Sequence, residues 1–211
     1  KRARVPLIVD NTLATPYLLK PIDYGADIVV HSATKFLGGH GNSIGGVVVD
    51  GGTFDWLADK RYPMLSEPRP EYGGMVLGET FGNFAFAIAL RVLGLRDLGP
   101  ALSPFNAFMI LTGIETLPLR MQKHSDNTQA IAEHLSNHPA VKWVSYPGLP
   151  GDRYHQLAKK YCPKGAGAVF TFGLEGGYDG PRAGEEPEAV LAPRQCPRHA
   201  LAGDPPRLDH A

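Results

Sequence analysis

Two short blocks of this sequence carry residues that can do chemistry together. One is Val9-Asp10-Asn11-Thr12; the other is His31-Ser32-Ala33-Thr34-Lys35-Phe36-Leu37, followed by Gly38-Gly39-His40-Gly41. Each block ends or follows a short apolar run, residues 5–10 and 27–31, of the kind that forms strands covered on both faces. The stretch between them, residues 12–25, is long enough to cross over a sheet, so the two runs read as parallel neighbours. Asp10 and Lys35 then emerge together at strand C-terminal ends, where open α/β sheets place their ligands. Adjacent strands lie roughly 4.8 Å apart, so an amine and a carboxylate there can address opposite ends of one heteroaromatic ring. Pyridoxal phosphate asks for this pair. A lysine amine forms the Schiff base, an aspartate keeps the pyridinium nitrogen protonated so that the ring absorbs carbanion charge, and hydroxyls such as those of Ser32 and Thr34 can bind the phosphate.

Each of these residues also has a plainer reading. A lysine at a strand end is usually solvated, and an aspartate before Asn-Thr is commonly a turn former or helix cap. The glycine-rich run 38–43 fails as a nucleotide loop, because its lysine precedes the glycines and position 44 is Ile where a dinucleotide fingerprint needs Gly. His31 and His40 have no acidic or cysteine partner at ligand spacing, so packing or loop hydrogen bonding is expected of both, and no metal.

The elements that must hold these residues alternate. A third apolar run, residues 46–49, follows the glycine-rich loop, and its direction is not set by the sequence. Residues 51–78 are rich in Gly and Pro and read as an ordered surface excursion. Helical patterning covers residues 83–95, 104–111 and 115–137, with Phe81, Phe84 and Phe86 as helix core. A strand at 141–144, a turn at Pro147-Gly148, a helix at 154–161 and a strand at 168–172 follow. A domain boundary is placed inside the long helix, near residue 125.

Composition bounds the function classes. The chain has 211 residues, with 21 Lys+Arg against 21 Asp+Glu. That balance argues against a nucleic-acid or acidic-membrane binder, which needs a concentrated basic face. Hydrophobic residues make up 43% and charged residues 20%, enough apolar material for a core. Two cysteines, Cys162 and Cys196, make no disulfide framework and suggest a reduced, cytoplasmic protein. No run of 18 or more apolar residues offers a membrane span.

Taken together, Val9-Asp10-Asn11-Thr12, Ser32-Ala33-Thr34-Lys35-Phe36, Gly39-His40-Gly41 and Gly45-Gly46 resemble the Cys/Met-metabolism family of pyridoxal-phosphate enzymes. The runs Glu79-Thr80-Phe81-Gly82-Asn83, Leu102-Ser103-Pro104-Phe105-Asn106-Ala107-Phe108 and Gly113-Ile114-Glu115-Thr116-Leu117-Pro118-Leu119-Arg120-Met121 look like its O-acetylhomoserine sulfhydrylase branch. The likeness covers residues 5–178. It implies an α/β chain of fold type I: residues 1–125 as the C-terminal part of the large cofactor domain, and 126–178 as the start of a smaller α/β domain. It also implies Lys35 as the Schiff-base lysine and proton shuttle, Asp10 as the pyridinium partner, and Ser32 and Thr34 as phosphate ligands. The reaction implied is γ-replacement on O-acetylhomoserine with sulfide or a thiol, giving homocysteine or methionine, in a homotetramer. A γ-lyase of the cystathionine type, or a non-catalytic piece, is the alternative. By the same resemblance a phosphate loop and a ring-stacking tyrosine are expected before residue 1, and a carboxylate-binding arginine after residue 178.

From residue 179 the composition changes, with frequent Pro, no aromatic residue and no Ile. Composition alone reads this as disordered. Regrouping the possible codons of residues 185–211 permits a peptide similar to the family's own continuation, so the tail reads as a frame-shifted product in which Cys196 and His199 have no selected role.

Overall fold

The structure is a computed structural model that describes residues 4–58 and 60–176. The chain forms two compact units that divide between Pro118 and Leu119.

In the first unit, strand β1 (Ile8–Asp10) leads into helix α1 (Thr15–Leu18) and a 3-10 turn, Pro21–Tyr24, before strand β2 (Ile28–Ser32). The two strands pair in parallel, with Ile8 opposite Ile28 and Asp10 opposite Val30, as the crossover length predicts. A wide helical turn, Ala33–Leu37, and the glycine-rich loop then lead to strand β3 (Gly46–Asp50), antiparallel to β2 with Ser32 opposite Gly46. No crossover helix intervenes here, so the chain returns beside β2 in the opposite sense.

Residues 51–78 are not a surface excursion. They contribute Trp56, Leu65 and Leu77 to a buried cluster that also holds Ile28 from β2, with Val30, Phe54 and Tyr62 packed against it. Short helices α2 (Pro63–Ser66), α3 (Leu77–Phe81) and α4 (Ala85–Ala89) close over this cluster. The Pro and Gly residues supply the corners, while the aromatic residues between them supply the contacts. Trp56 stacks on Phe86 at 5.3 Å between ring centroids, and Tyr62 meets Trp56 edge-on at 5.2 Å.

The single helix expected over 83–95 is broken into pieces. Gly82 takes a left-handed φ of +54°, and a 3-10 turn, Gly82–Phe84, precedes α4; a wide-pitched helical run, Leu90–Leu98, follows it. The change of phase rotates Phe84 outward, leaving it 66% exposed, whereas Phe81 and Phe86 pack against the core. Cover on both sheet faces holds for β2 but not for its neighbours: Ile8 and Val47, Val48 and Val49 are exposed. Helix α5 (Pro104–Glu115) completes this unit.

Helix α6 (Leu117–Ser136) carries the chain into the second unit. There strand β4 (Val141–Ser145), helix α7 (His155–Tyr161) and strand β5 (Thr171–Leu174) follow, with β4 and β5 antiparallel. Pairing starts later than the sequence suggests, because Gly165 and Gly167 hold positive φ values that keep the approach out of strand geometry. Met121, Ala132 and Tyr146 are buried, and the Tyr146 hydroxyl donates to the Gly167 carbonyl at 2.9 Å. Among the described residues no helix is long and apolar enough to cross a membrane. The tail expected to be frame-shifted, with Cys196 and His199, lies outside the described residues.

Candidate active site

Asp10 is the last residue of β1 and Ser32 the last of β2, so the parallel pairing brings both to one edge of the sheet. The Asn11 N–H extends the ladder by one bond to the Val30 carbonyl, 2.9 Å away. The chain then turns on the aspartate itself, whose Oδ1 accepts from the Thr12 N–H at 2.9 Å. The Thr12 hydroxyl accepts from the Ser32 N–H at 2.8 Å. Thr12 therefore ties the carboxylate of β1, through its amide, to the end of β2, through its hydroxyl. Thr12, through its hydroxyl first and then its amide, holds Asp10 below the usual carboxylate range, with a smaller pull from nearby His31. Asp10 stays ionised at neutral pH on this account.

Lys35 sits in the turn that leaves β2. The Ala33 and Thr34 amides both donate to the Gly45 carbonyl, at 2.9 and 3.3 Å. The Thr34 hydroxyl is bound to the same residue, accepting from the Gly45 N–H at 3.1 Å and donating to its carbonyl at 3.3 Å. Gly38 and Gly39 close the turn by donating to the Ala33 and Lys35 carbonyls at 2.9 and 2.8 Å. At Lys35 the backbone leaves helical geometry, with φ −87° and ψ −125°, and the side chain is exposed. The Ser32 hydroxyl, half-buried beside it, has no protein partner among the described residues.

A helix backs this turn. Gly113 of α5 lies so close to Gly38 that a Cβ on it would overlap the Gly38 carbonyl, and a Cβ on Gly45 would come within 2.6 Å of Ile110 Cδ1. Neither Gly113 nor Thr12 carries a chemical role legible in the sequence. A glycine inside the apolar helical run Ile110-Leu111-Thr112-Gly113 is the one local sign of a close backbone approach. The two histidines divide between the expected roles: His40 Nδ1 lies 2.7 Å from the Gly38 carbonyl, whereas His31 is packed inside, 7% exposed.

A parallel strand pair with a lysine turn and a carboxylate at one C-terminal edge defines a class, the cofactor-binding half of an α/β enzyme. The family model for Cys/Met metabolism PLP-dependent enzymes matches residues 1–190, and the chain belongs to that family. It is 56% identical over 179 residues to the homocysteine synthase of Schizosaccharomyces pombe, an alignment covering 84% of this chain and 42% of that protein. It is 52% identical over 188 residues to the O-acetyl-L-homoserine sulfhydrylase of Leptospira meyeri, covering 85% of this chain and 42% of that one. Among solved structures it matches a Campylobacter jejuni protein assigned as an O-acetylhomoserine (thiol)-lyase, with TM-score 0.76 and 37% identity over 82% of this chain and 43% of that one. That crystal structure holds a pyridoxyl-lysine monophosphate residue. The chain is thus a fragment of fold type I, spanning about two fifths of the length of the curated relatives it matches.

The cofactor of this family is pyridoxal phosphate, and the residues present fit it. The edge offers an exposed primary amine, a carboxylate held ionised by Thr12, and a hydroxyl with no protein partner among the described residues.

Proposed function

We propose that this chain carries the lysine turn of an enzyme that transfers the aminobutyrate group of O-acetylhomoserine to sulfide or a thiol, releasing acetate and giving homocysteine or methionine. The supporting observation is the joint emergence of Asp10 and Lys35 at one sheet edge, in a chain 56% identical to a homocysteine synthase. Bound pyridoxal phosphate supplies a sink for electrons withdrawn from the substrate. Lys35 holds the cofactor's aldehyde carbon through its amine and moves protons at the substrate α and β carbons. The Asp10 carboxylate faces the ring nitrogen and keeps its proton in place. Ser32 and Thr34 bind the phosphate through their hydroxyls; the Thr34 hydroxyl, already bound to Gly45, contributes a fixed oxygen rather than a free rotor.

In this reading residues 1–125 are the C-terminal part of the large cofactor domain, and 126–178 begin the smaller one. The enzyme is cytoplasmic and homotetrameric, and its partners are a small amino-acid substrate and sulfide or a thiol.

The experiment is borohydride reduction of the intact protein with cofactor, followed by peptide mass analysis. Lys35 is expected to carry the pyridoxyl mass, and Lys35→Ala to lose both that mass and the visible absorption. A pyridoxyl group on another lysine would overturn the assignment. With O-acetylhomoserine and sulfide the product is homocysteine; a 2-oxo acid and free ammonia in its place would point to the lyase reaction instead.

A further inference from the structure

Strand β1 turns away from β2 one rung before the ladder between them is complete. The Val30 carbonyl accepts from the Asn11 N–H at 2.9 Å, so in a continuing parallel pair the next bond would run from the Ser32 N–H to the Asn11 carbonyl. That carbonyl accepts instead from the Thr15 N–H at 2.9 Å, as the chain coils into α1. A backbone N–H at the end of a central strand still needs an acceptor. The Thr12 hydroxyl provides it, accepting from the Ser32 N–H at 2.8 Å. One side-chain oxygen supplies the rung that the backbone of β1 does not.

This rung lies between the two groups that meet at the sheet edge. The Thr12 amide donates to Asp10 Oδ1 at 2.9 Å, and Ser32 opens the turn that carries Lys35. A continuous path of bonds therefore runs from the carboxylate, through the backbone and side chain of Thr12, to the start of the lysine turn. Both ends of the path are anchored. Asn11, 3% exposed, is fixed by its backbone bonds and by its side-chain amide, which donates to the Leu19 carbonyl at 2.8 Å. Beyond Ser32, the Ala33 and Thr34 amides are bonded to the Gly45 carbonyl. A ring addressed at opposite ends by an amine and a carboxylate tolerates little error in their separation, because reactivity falls steeply with misplacement on the scale of 1 Å. Thr12 is bonded to both sides of that separation.

We propose that Thr12 is a positioning residue that sets the spacing between Asp10 and the lysine turn, its amide bound by the Asp10 carboxylate and its hydroxyl bound by the Ser32 N–H. The proposal rests on the reading of Asp10 and Lys35 as the residues that meet the ring nitrogen and the aldehyde carbon of one cofactor. Thr12 itself touches neither cofactor nor substrate in this role, and acts only through the two residues it joins.

The test compares two variants of the intact protein. Thr12→Val keeps the shape and removes the oxygen, whereas Thr12→Ser keeps the oxygen and removes a methyl group. Both keep the backbone amide. In the cofactor-free protein, hydrogen exchange at the Ser32 amide is expected to quicken about tenfold or more in Thr12→Val and to stay near the wild-type rate in Thr12→Ser. With cofactor bound, Thr12→Val is expected to shift the visible absorption band and to lower kcat about tenfold, with KM within about twofold, and Thr12→Ser to restore most of both. A Thr12→Val protein that is merely less stable, with the band and kcat of wild type, would overturn the proposal, as would equal losses in the two variants. Should Thr12→Val fail to fold, Thr12→Ser and the wild type decide: a protected Ser32 amide in both, with the band unmoved, is expected, and an unprotected one in the wild type refutes the rung. Failure of the Asp10 reading looks different. Asp10→Asn would then leave band and turnover unchanged, whereas failure of the spacing role alone leaves Asp10→Asn impaired beside an unaffected Thr12→Val.

Discussion

The Asp10 carboxylate is exposed, so its ionisation depends on hydrogen bonds more than on a buried partner. Asp10→Asn keeps the size and removes the charge that, on the proposed reading, holds a proton on the cofactor's ring nitrogen. Turnover of the intact enzyme is expected to drop by about three powers of ten, roughly 4 kcal/mol, as when one preorganised electrostatic partner is lost. Borohydride should still trap the cofactor on Lys35, which separates loss of the electron sink from loss of binding. Tyr146 is the opposite case, a buried group whose neutral form the fold protects. Burial first, then nearby Asp126, pushes its phenol up to about 12. Between its ordinary value of 10.0 and that figure, the unfolded chain gives up a proton that the folded chain keeps. The stability this group contributes is therefore whole below about pH 10 and is lost as pH rises through about 12. Tyr146→Phe removes the bond to the Gly167 carbonyl, at a cost of about 1–2 kcal/mol near neutrality. In urea unfolding at stepped pH, the gap between wild type and variant is expected to narrow above pH 10.

The lysine turn owes its shape to a helix some seventy residues further along the chain. Counting 100° per residue places Ile110 and Gly113 on one side of α5, and Phe105, Phe108 and Leu111 on the other. The first side meets the backbone of Gly38 and Gly45, and Gly113 is what allows the contact. Gly113→Ala is expected to push α5 off the turn and to destabilise the fold by about 2 kcal/mol, the scale of overpacking in a filled core. Slower trapping of the cofactor on Lys35 should accompany the loss. Gly94, in the wide-pitched run Leu90–Leu98, is the control, since a Cβ there meets nothing within 4 Å and its φ is not positive. Gly94→Ala should be neutral or stabilising by up to about 1 kcal/mol. Denaturation midpoints of the two variants against wild type check both statements; equal midpoints would contradict the close approach.

Taken as a separate body, the 211-residue chain leaves much apolar surface in water. Phe105, Phe108 and Leu111 are 69%, 64% and 63% exposed and lie along one stripe of α5. In the sheet β2 lies between β1 and β3, and Ile8 of β1 and Val47, Val48 and Val49 of β3 are also exposed. Patches and edges of this kind associate. Size-exclusion chromatography of the chain alone, at on the order of 10 μM, is expected to give oligomers or aggregate. Phe105→Lys combined with Phe108→Lys should raise the monomer fraction. A sharp monomer peak for the unmodified chain would show that these faces do not self-associate.

The amino-acid sequence by itself determined the chemistry on offer: an amine at Lys35, a carboxylate at Asp10, hydroxyls at Ser32 and Thr34, and a crossover long enough to make the first two strands parallel. These were legible because strand patterning and connection length are local properties of a chain. Fold type and family were legible too, from motifs in a characteristic order. What tertiary structure decided is everything carried by contacts between distant residues. The return direction of β3 depends on what fills the loop before it, and the run 51–78 becomes core because its aromatic residues find β2. Phe84 turns outward because Gly82 breaks the helical phase, which periodicity alone cannot foresee. The bond from Ser32 to Thr12 and the contact of Gly113 with Gly38 join residues 20 and 75 positions apart. No window of sequence holds both ends of such a contact, so only the folded chain specifies it.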